Sequence, residues 1–169
     1  MNENIARGVV ARLKEAGIRV CFAESCTGGL CSAAITSVGG SSEVFDFGAV
    51  TYSNEMKEKL LGVKHETLAE YGAVSRQTAE QMARGIAAFC GAQIGVGVTG
   101  IAGPGSDGTD KPVGLIYIGI WTADGFERVV GLRNVFTDDV RARNRAAAVD
   151  AAFALIGEYL DYRESNHGE

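Results

Sequence analysis

Apolar residues recur at helical spacing through residues 3–16 (Ile5, Val9, Val10, Leu13, Ala16), and Gly17 follows as a stop. The run "IRVCFA" is apolar and β-branched enough to predict a buried strand over residues 18–23. A short polar, glycine-bearing stretch, "ESCTGG", leads into an apolar helix over residues 30–38. "EVFDFGAVTYS" alternates sufficiently for a second strand over residues 44–52. Asn54 is placed to cap a short helix reaching Leu61, with Glu55 favouring its first turn. Ser75 caps a long amphipathic helix that ends near Cys90 and Gly91. "QIGVGV" predicts a third strand, and "TGIAGPGSDGTDKP" is too polar and glycine-rich for anything but a loop. The strands "VGLIYIGIWT" and "FERVVGLRNVF" flank "ADG", the turn of a hairpin. Residues 138–160 form a final alanine-rich helix, and 163–169 read as a disordered tail.

Helices and strands that alternate, with one hairpin near the end, predict an α/β fold. Its form is a three-layer α/β/α sandwich on a mixed, mostly parallel five-stranded sheet. No linker or repeat divides the chain, so residues 1–162 read as a single domain, long enough at 46% hydrophobic content to bury a substantial core. In such sheets, ligands gather beyond the carboxyl ends of the strands. Three segments have that position: residues 24–29, residues 99–111 and the stretch around Tyr52 to Lys57.

Charge narrows the partners. A net charge of -5 argues against general nucleic-acid binding, which needs a basic face. No apolar run approaches the roughly 20 residues of a membrane-spanning helix, and the N-terminus "MNENIARGVV" lacks the pattern of a signal peptide. The expectation is a cytoplasmic protein without nucleic-acid or membrane partners; a homo-oligomer is also expected, of an order that these features do not set. The four cysteines (Cys21, Cys26, Cys31, Cys90) sit in apolar contexts and read as reduced thiols. Their spacing suits no zinc knuckle, and neither a metal nor a cofactor is expected.

The chemistry must manage with little histidine. His65 lies beside Glu66 in a polar connector and reads as a solvated residue at a helix start, and His167 lies in the tail. No GxxxxGK[ST] loop is present, and the glycines of "GVGVTG" fall inside a strand, which excludes a dinucleotide turn. A serine–lysine system remains, provided that a lysine is held neutral by burial or by a positive neighbour. Its candidates cluster in "GGSSEVFDFGAVTYSNEMKEKLLGV", which holds Ser41, Ser42, Tyr52 and Lys57. The same residues also suit a cap, an edge aromatic and a solvated lysine, and pattern alone does not choose between these readings.

Four ordered motifs, "AESCTGGL", "GSSEVFDFGAVTYSNEMKEKLLGV", "GAVS" and "VTGIAGPGSDGTDKPVG", resemble the CinA C-terminal domain family over nearly the whole chain. The length resembles that of standalone members, which are nicotinamide-nucleotide amidohydrolases. The resemblance therefore implies hydrolysis of the carboxamide of nicotinamide mononucleotide to nicotinate mononucleotide and ammonia. It further implies Ser42 as nucleophile, Lys57 as its base and Tyr52 in the proton relay. Ser25, Cys26, Thr27, Gly28 and Gly29 would then position the substrate or an oxyanion through hydroxyls and backbone N–H groups. Cys26 lacks an activating histidine and is set aside as a nucleophile. Thr99, Gly100, Gly103 and Gly105 would wall the nucleotide pocket. Arg145 aligns best with a substrate-binding arginine of the family, although "FTDDVRARNRAAA" departs from the usual pattern and leaves Arg141 and Arg143 open. The role of Glu24 stays open: ordering its loop or meeting a ribose. A non-catalytic nucleotide-binding or competence-related module, and a Ser–Lys hydrolase of another small amide, remain as alternatives.

Overall fold

A computed structural model describes residues 3–167. Five strands form one sheet in the order β2-β1-β3-β4-β5. They are β1 (Val20–Glu24), β2 (Phe45–Val50), β3 (Ile94–Gly100), β4 (Leu115–Thr122) and β5 (Glu127–Arg133). β1 pairs in parallel with both β2 and β3, while β4 runs antiparallel between β3 and β5. Four strands thus point one way and β4 alone opposes them. The α/β sandwich expected from the alternating pattern is the fold observed.

β1 shows how the sequence makes the layers. All five of its residues are buried, and successive side chains enter opposite cores. Val20 and Phe22 join a core with Leu13, Ile35, Phe153 and Ile156, covered by helices α1 (Glu3–Ala16), α2 (Leu30–Thr36) and α6 (Val140–His167). Cys21 and Ala23 face the other core with Leu61, Leu68, Met82 and Ile86. Helices α3 (Asn54–Leu61), α4 (His65–Tyr71) and α5 (Arg76–Cys90) cover that side. α5 lies very close to the sheet because glycines stand beneath it. A Cβ at Gly97 would come within 2.5 Å of the Ala79 carbonyl oxygen, and one at Gly119 within 2.6 Å of the same atom.

Several local expectations shift. The α3 cap is Ser53, not Asn54: its backbone is extended and its hydroxyl accepts from the Met56 N–H, while Asn54 is already helical. α4 fills what reads in sequence as a connector; its Thr67 and Leu68 are buried although no side chain caps its start. The tail expected from residue 163 is helical as far as His167. Tyr162 packs its ring against Phe126, and Arg12 reaches from α1 to Asp161 and Glu164. Residues 168 and 169 of that expected tail lie outside the described residues. Among the described residues, no helix is long and apolar enough to cross a membrane.

Candidate active site

Parallel pairing brings three loops to one edge of the sheet. The register sets Glu24 opposite both Val50 and Val98, so the residues that follow β1, β2 and β3 emerge side by side. The Thr51 N–H donates to the Glu24 carbonyl, and the Ser25 N–H to the Val98 carbonyl. A cleft of about 280 Å³ opens there, its walls including Ser25, Cys26, Tyr52, Lys57, Thr99 and Arg141.

Lys57 is the centre of this cleft. It projects from the first turns of α3 and is 1% exposed. Its Nζ lies 2.9 Å from the Thr51 carbonyl oxygen, 3.2 Å from that of Tyr52 and 3.3 Å from Ser25 Oγ. Burial without an acidic partner lowers its pKa to about 8. A neutral amine has two N–H bonds and one lone pair. The protonated amine donates to both carbonyls and to Ser25 Oγ; once it loses a proton, two N–H bonds can stay on the carbonyls and the lone pair can face the serine hydroxyl.

Ser42 is not brought to this lysine. It sits exposed in the 3-10 turn Ser41–Glu43, before β2 begins, where its carbonyl accepts from Arg19. Tyr52 and Lys57 follow the other end of β2, and a six-residue strand separates the two ends by about 20 Å. The convergence of Ser42 with Tyr52 and Lys57 that the resemblance implies is thus corrected: the hydroxyl at the lysine belongs to Ser25. Tyr52 contributes its main-chain carbonyl to Lys57. Its ring is 60% exposed at the rim, and its hydroxyl accepts from Arg141 at 3.2 Å.

The turn that carries Ser25 is held from behind. Glu24 is wholly buried, and its carboxylate accepts from the N–H groups of Gly29, Cys31 and Ser32 and from the Ser32 hydroxyl, at 2.8–3.0 Å. These bonds tie the loop together from inside, and no part of the carboxylate is exposed for a ribose. Gly28 and Gly29 take left-handed backbone angles (φ 58° and 97°), which make the turn tight enough for α2 to fold back onto Glu24. The Thr27 carbonyl accepts from Arg145 at 2.9 Å, so this arginine braces the turn and is not part of the cleft wall. Cys26 does line the cleft, but burial and the nearby Glu24 push its thiol up to about 12, which disfavours the nucleophilic thiolate.

The remaining wall comes from the loop after β3. Thr99, Gly100, Gly103 and Gly105 all line the cleft. Thr99 Oγ1 donates to the Ala73 carbonyl at 2.7 Å and ties the wall to the α4–α5 connection. Of the three arginines left open, Arg141 faces the cleft, with one guanidinium nitrogen on the Gly103 carbonyl at 2.9 Å. Arg143 turns away to Asp138 and stacks over Phe136. Ala73, Val74, Ser106 and Asp107 also line the cleft and were not singled out from sequence. For the first two the signal was the "GAVS" motif, which carries no reactive side chain on the cleft side.

The CinA C-terminal domain model matches residues 2–160. The chain belongs to the CinA C-terminal domain family. A CinA-like protein of Acidobacterium capsulatum is 46% identical over 158 residues, which are 94% of this chain and 37% of that relative. The chain spans less than two fifths of the length of the first such relatives it matches. Nicotinamide-nucleotide amidohydrolase PncC of Enterobacter agglomerans is 45% identical over 150 residues, covering 89% of this chain and 90% of that one. The crystal structure of the competence/damage inducible protein CihA from Agrobacterium tumefaciens superposes with a TM-score of 0.88 at 43% identity over 94% of each chain.

Proposed function

We propose that this CinA-family domain hydrolyses the carboxamide of nicotinamide mononucleotide, with Ser25 as nucleophile and Lys57 as general base. The observation that carries the reading is the Lys57 amine, buried, lowered in pKa and fixed by two carbonyls with Ser25 Oγ as its third neighbour. The nearly full-length relative named a nicotinamide-nucleotide amidohydrolase supports the choice of substrate.

In the proposed reaction, Lys57 takes the Ser25 hydroxyl proton as Oγ bonds to the carboxamide carbon. The oxyanion forms against the main-chain N–H beside the nucleophile, at Cys26. Collapse breaks the C–N bond, and the Lys57 ammonium passes its proton to the departing nitrogen, so ammonia leaves. Water, deprotonated by Lys57, then attacks the acyl-serine. Nicotinate mononucleotide departs and Ser25 regains its proton. Tyr52 and Arg141 act at the rim, where the guanidinium meets the substrate's phosphate. The same site needs no cofactor for these steps.

Ammonia release tests the reading. Nicotinamide mononucleotide should turn over much faster than free nicotinamide, because ribose and phosphate contacts orient the amide. Equal rates on the two would remove the nucleotide pocket from the account. Arg141→Ala should raise KM for the nucleotide about tenfold and leave the slow rate on nicotinamide unchanged, as loss of a charged phosphate contact requires.

A further inference from the structure

Glu24 is spent entirely inside the protein. No part of it reaches the cleft surface, yet it immediately precedes the proposed nucleophile. A buried carboxylate is costly unless its lone pairs are matched. Here four donors match them, one from Gly29 in the glycine turn itself and three from Cys31 and Ser32 beyond it. The carboxylate therefore closes residues 24–32 into a ring, with Ser25, Cys26 and Thr27 on its free arc. The main chain at Glu24 and Ser25 is pinned independently to β2 and β3 through Thr51 and Val98. These bonds fix one end of the ring and the carboxylate clamp fixes the other, which sets the Cα position from which Ser25 Oγ comes to lie 3.3 Å from Lys57 Nζ.

We infer that Glu24 is a positioning residue for the reaction: it aims Ser25 Oγ at Lys57 and keeps the neighbouring Cys26 thiol out of the chemistry. The first half rests on the proposed Ser25–Lys57 reading; the second does not. Burial first, and the Glu24 charge in addition, oppose formation of a thiolate at Cys26 and at Cys31 in the first turn of α2. Ring closure keeps Cys26 buried although it forms part of the cleft wall. One carboxylate thereby separates two adjacent nucleophiles, presenting the hydroxyl and suppressing the thiol.

The experiment pairs kinetics with thiol labelling on the full chain. Glu24→Gln keeps the side-chain shape, removes the charge and leaves at most one acceptor oxygen for four donors. With folding verified by circular dichroism and thermal melting, its kcat on nicotinamide mononucleotide should fall about 30-fold or more, since small misplacements of a reacting atom are expensive. KM should stay within about twofold, because the rim contacts are untouched. Iodoacetamide labelling followed by peptide mass analysis should find Cys26 alkylated about tenfold faster, with Cys21 and Cys31 still protected. A general loosening would instead expose all three thiols together and would overturn the inference. So would a folded Glu24→Gln protein with wild-type kcat and a protected Cys26.

Should Glu24→Gln fail to fold, Ser32→Ala removes one donor of the four from a residue outside the cleft. It should lower kcat about threefold to tenfold at constant KM, and an unchanged kcat overturns the inference. The labelling needs no substrate, so the two readings fail separately. A wild-type chain that releases no ammonia sinks the proposed activity, and Cys26 alone then decides the role of Glu24.

Discussion

At the scale of single residues, the protein buries a lysine where no carboxylate pairs with it, which is the setting the proposed general base requires. Protonated Lys57 cannot accept the Ser25 proton, so the rate should rise with pH as the amine loses its own. With the amine lowered to about 8, kcat/KM should climb through an acid limb of that apparent pKa and level off above it. A limb centred near 6.5 would point to a histidine, and His65 stands exposed on α4 against Glu58, away from the cleft. Lys57 was legible in sequence as a candidate; its partner was not. Ser42 is 15 positions from Lys57 and Ser25 is 32, so closeness along the chain groups the lysine with a hydroxyl that the fold holds apart from it. The spatial relation lies in the parallel register of β1 and β2, which a single sequence does not display. A usable signal existed, since both strand ends were predicted and parallel strands deliver their following loops to one edge.

At the scale of elements, two close packings set the geometry of the site. α5 rests on β3 and β4 over a glycine floor, and Gly97→Ala would drive a methyl group into the α5 backbone at Ala79 and Ala83. Overpacking of this kind costs about 1–3 kcal/mol, read as a lower midpoint in urea unfolding with the slope unchanged. α3 carries Lys57 and starts at Ser53, whose hydroxyl satisfies the Met56 N–H. Ser53→Ala should cost about 1 kcal/mol of stability while keeping Lys57 in place through Thr51 and Tyr52. The long elements were legible because periodicity and caps agree, as for α5 between Ser75 and Gly91. The short ones were not. α4 has seven residues and an uncapped start, and it is helical because Leu68 finds a place in the α5-side core. The end of α6 is likewise decided by contacts with α1 and Phe126 that lie more than 35 positions away in sequence.

At the scale of the molecule, the order of the elements was enough to give the layers, since alternating strands and helices leave few ways to cover both faces of a sheet. A chain of net charge -5 nevertheless places the Arg141 guanidinium on the cleft wall, a local positive charge open to an anionic group, with Asp107 elsewhere in the same lining. Among the described residues, no group of three or more His, Cys, Asp or Glu side chains is gathered to hold a metal ion. Ammonia release should therefore survive prolonged chelation and desalting; activity lost and then restored by a divalent ion would contradict the serine–lysine account. The most direct measurement compares two serines under one assay. Ser25→Ala and Ser42→Ala are each checked for folding and then assayed for ammonia release from nicotinamide mononucleotide. Ser25→Ala should be inactive, and Ser42→Ala, altered at an exposed turn at the opposite end of β2 from the cleft, should retain most of the wild-type rate. An active Ser25→Ala protein beside an inactive Ser42→Ala protein would contradict the assignment of the nucleophile.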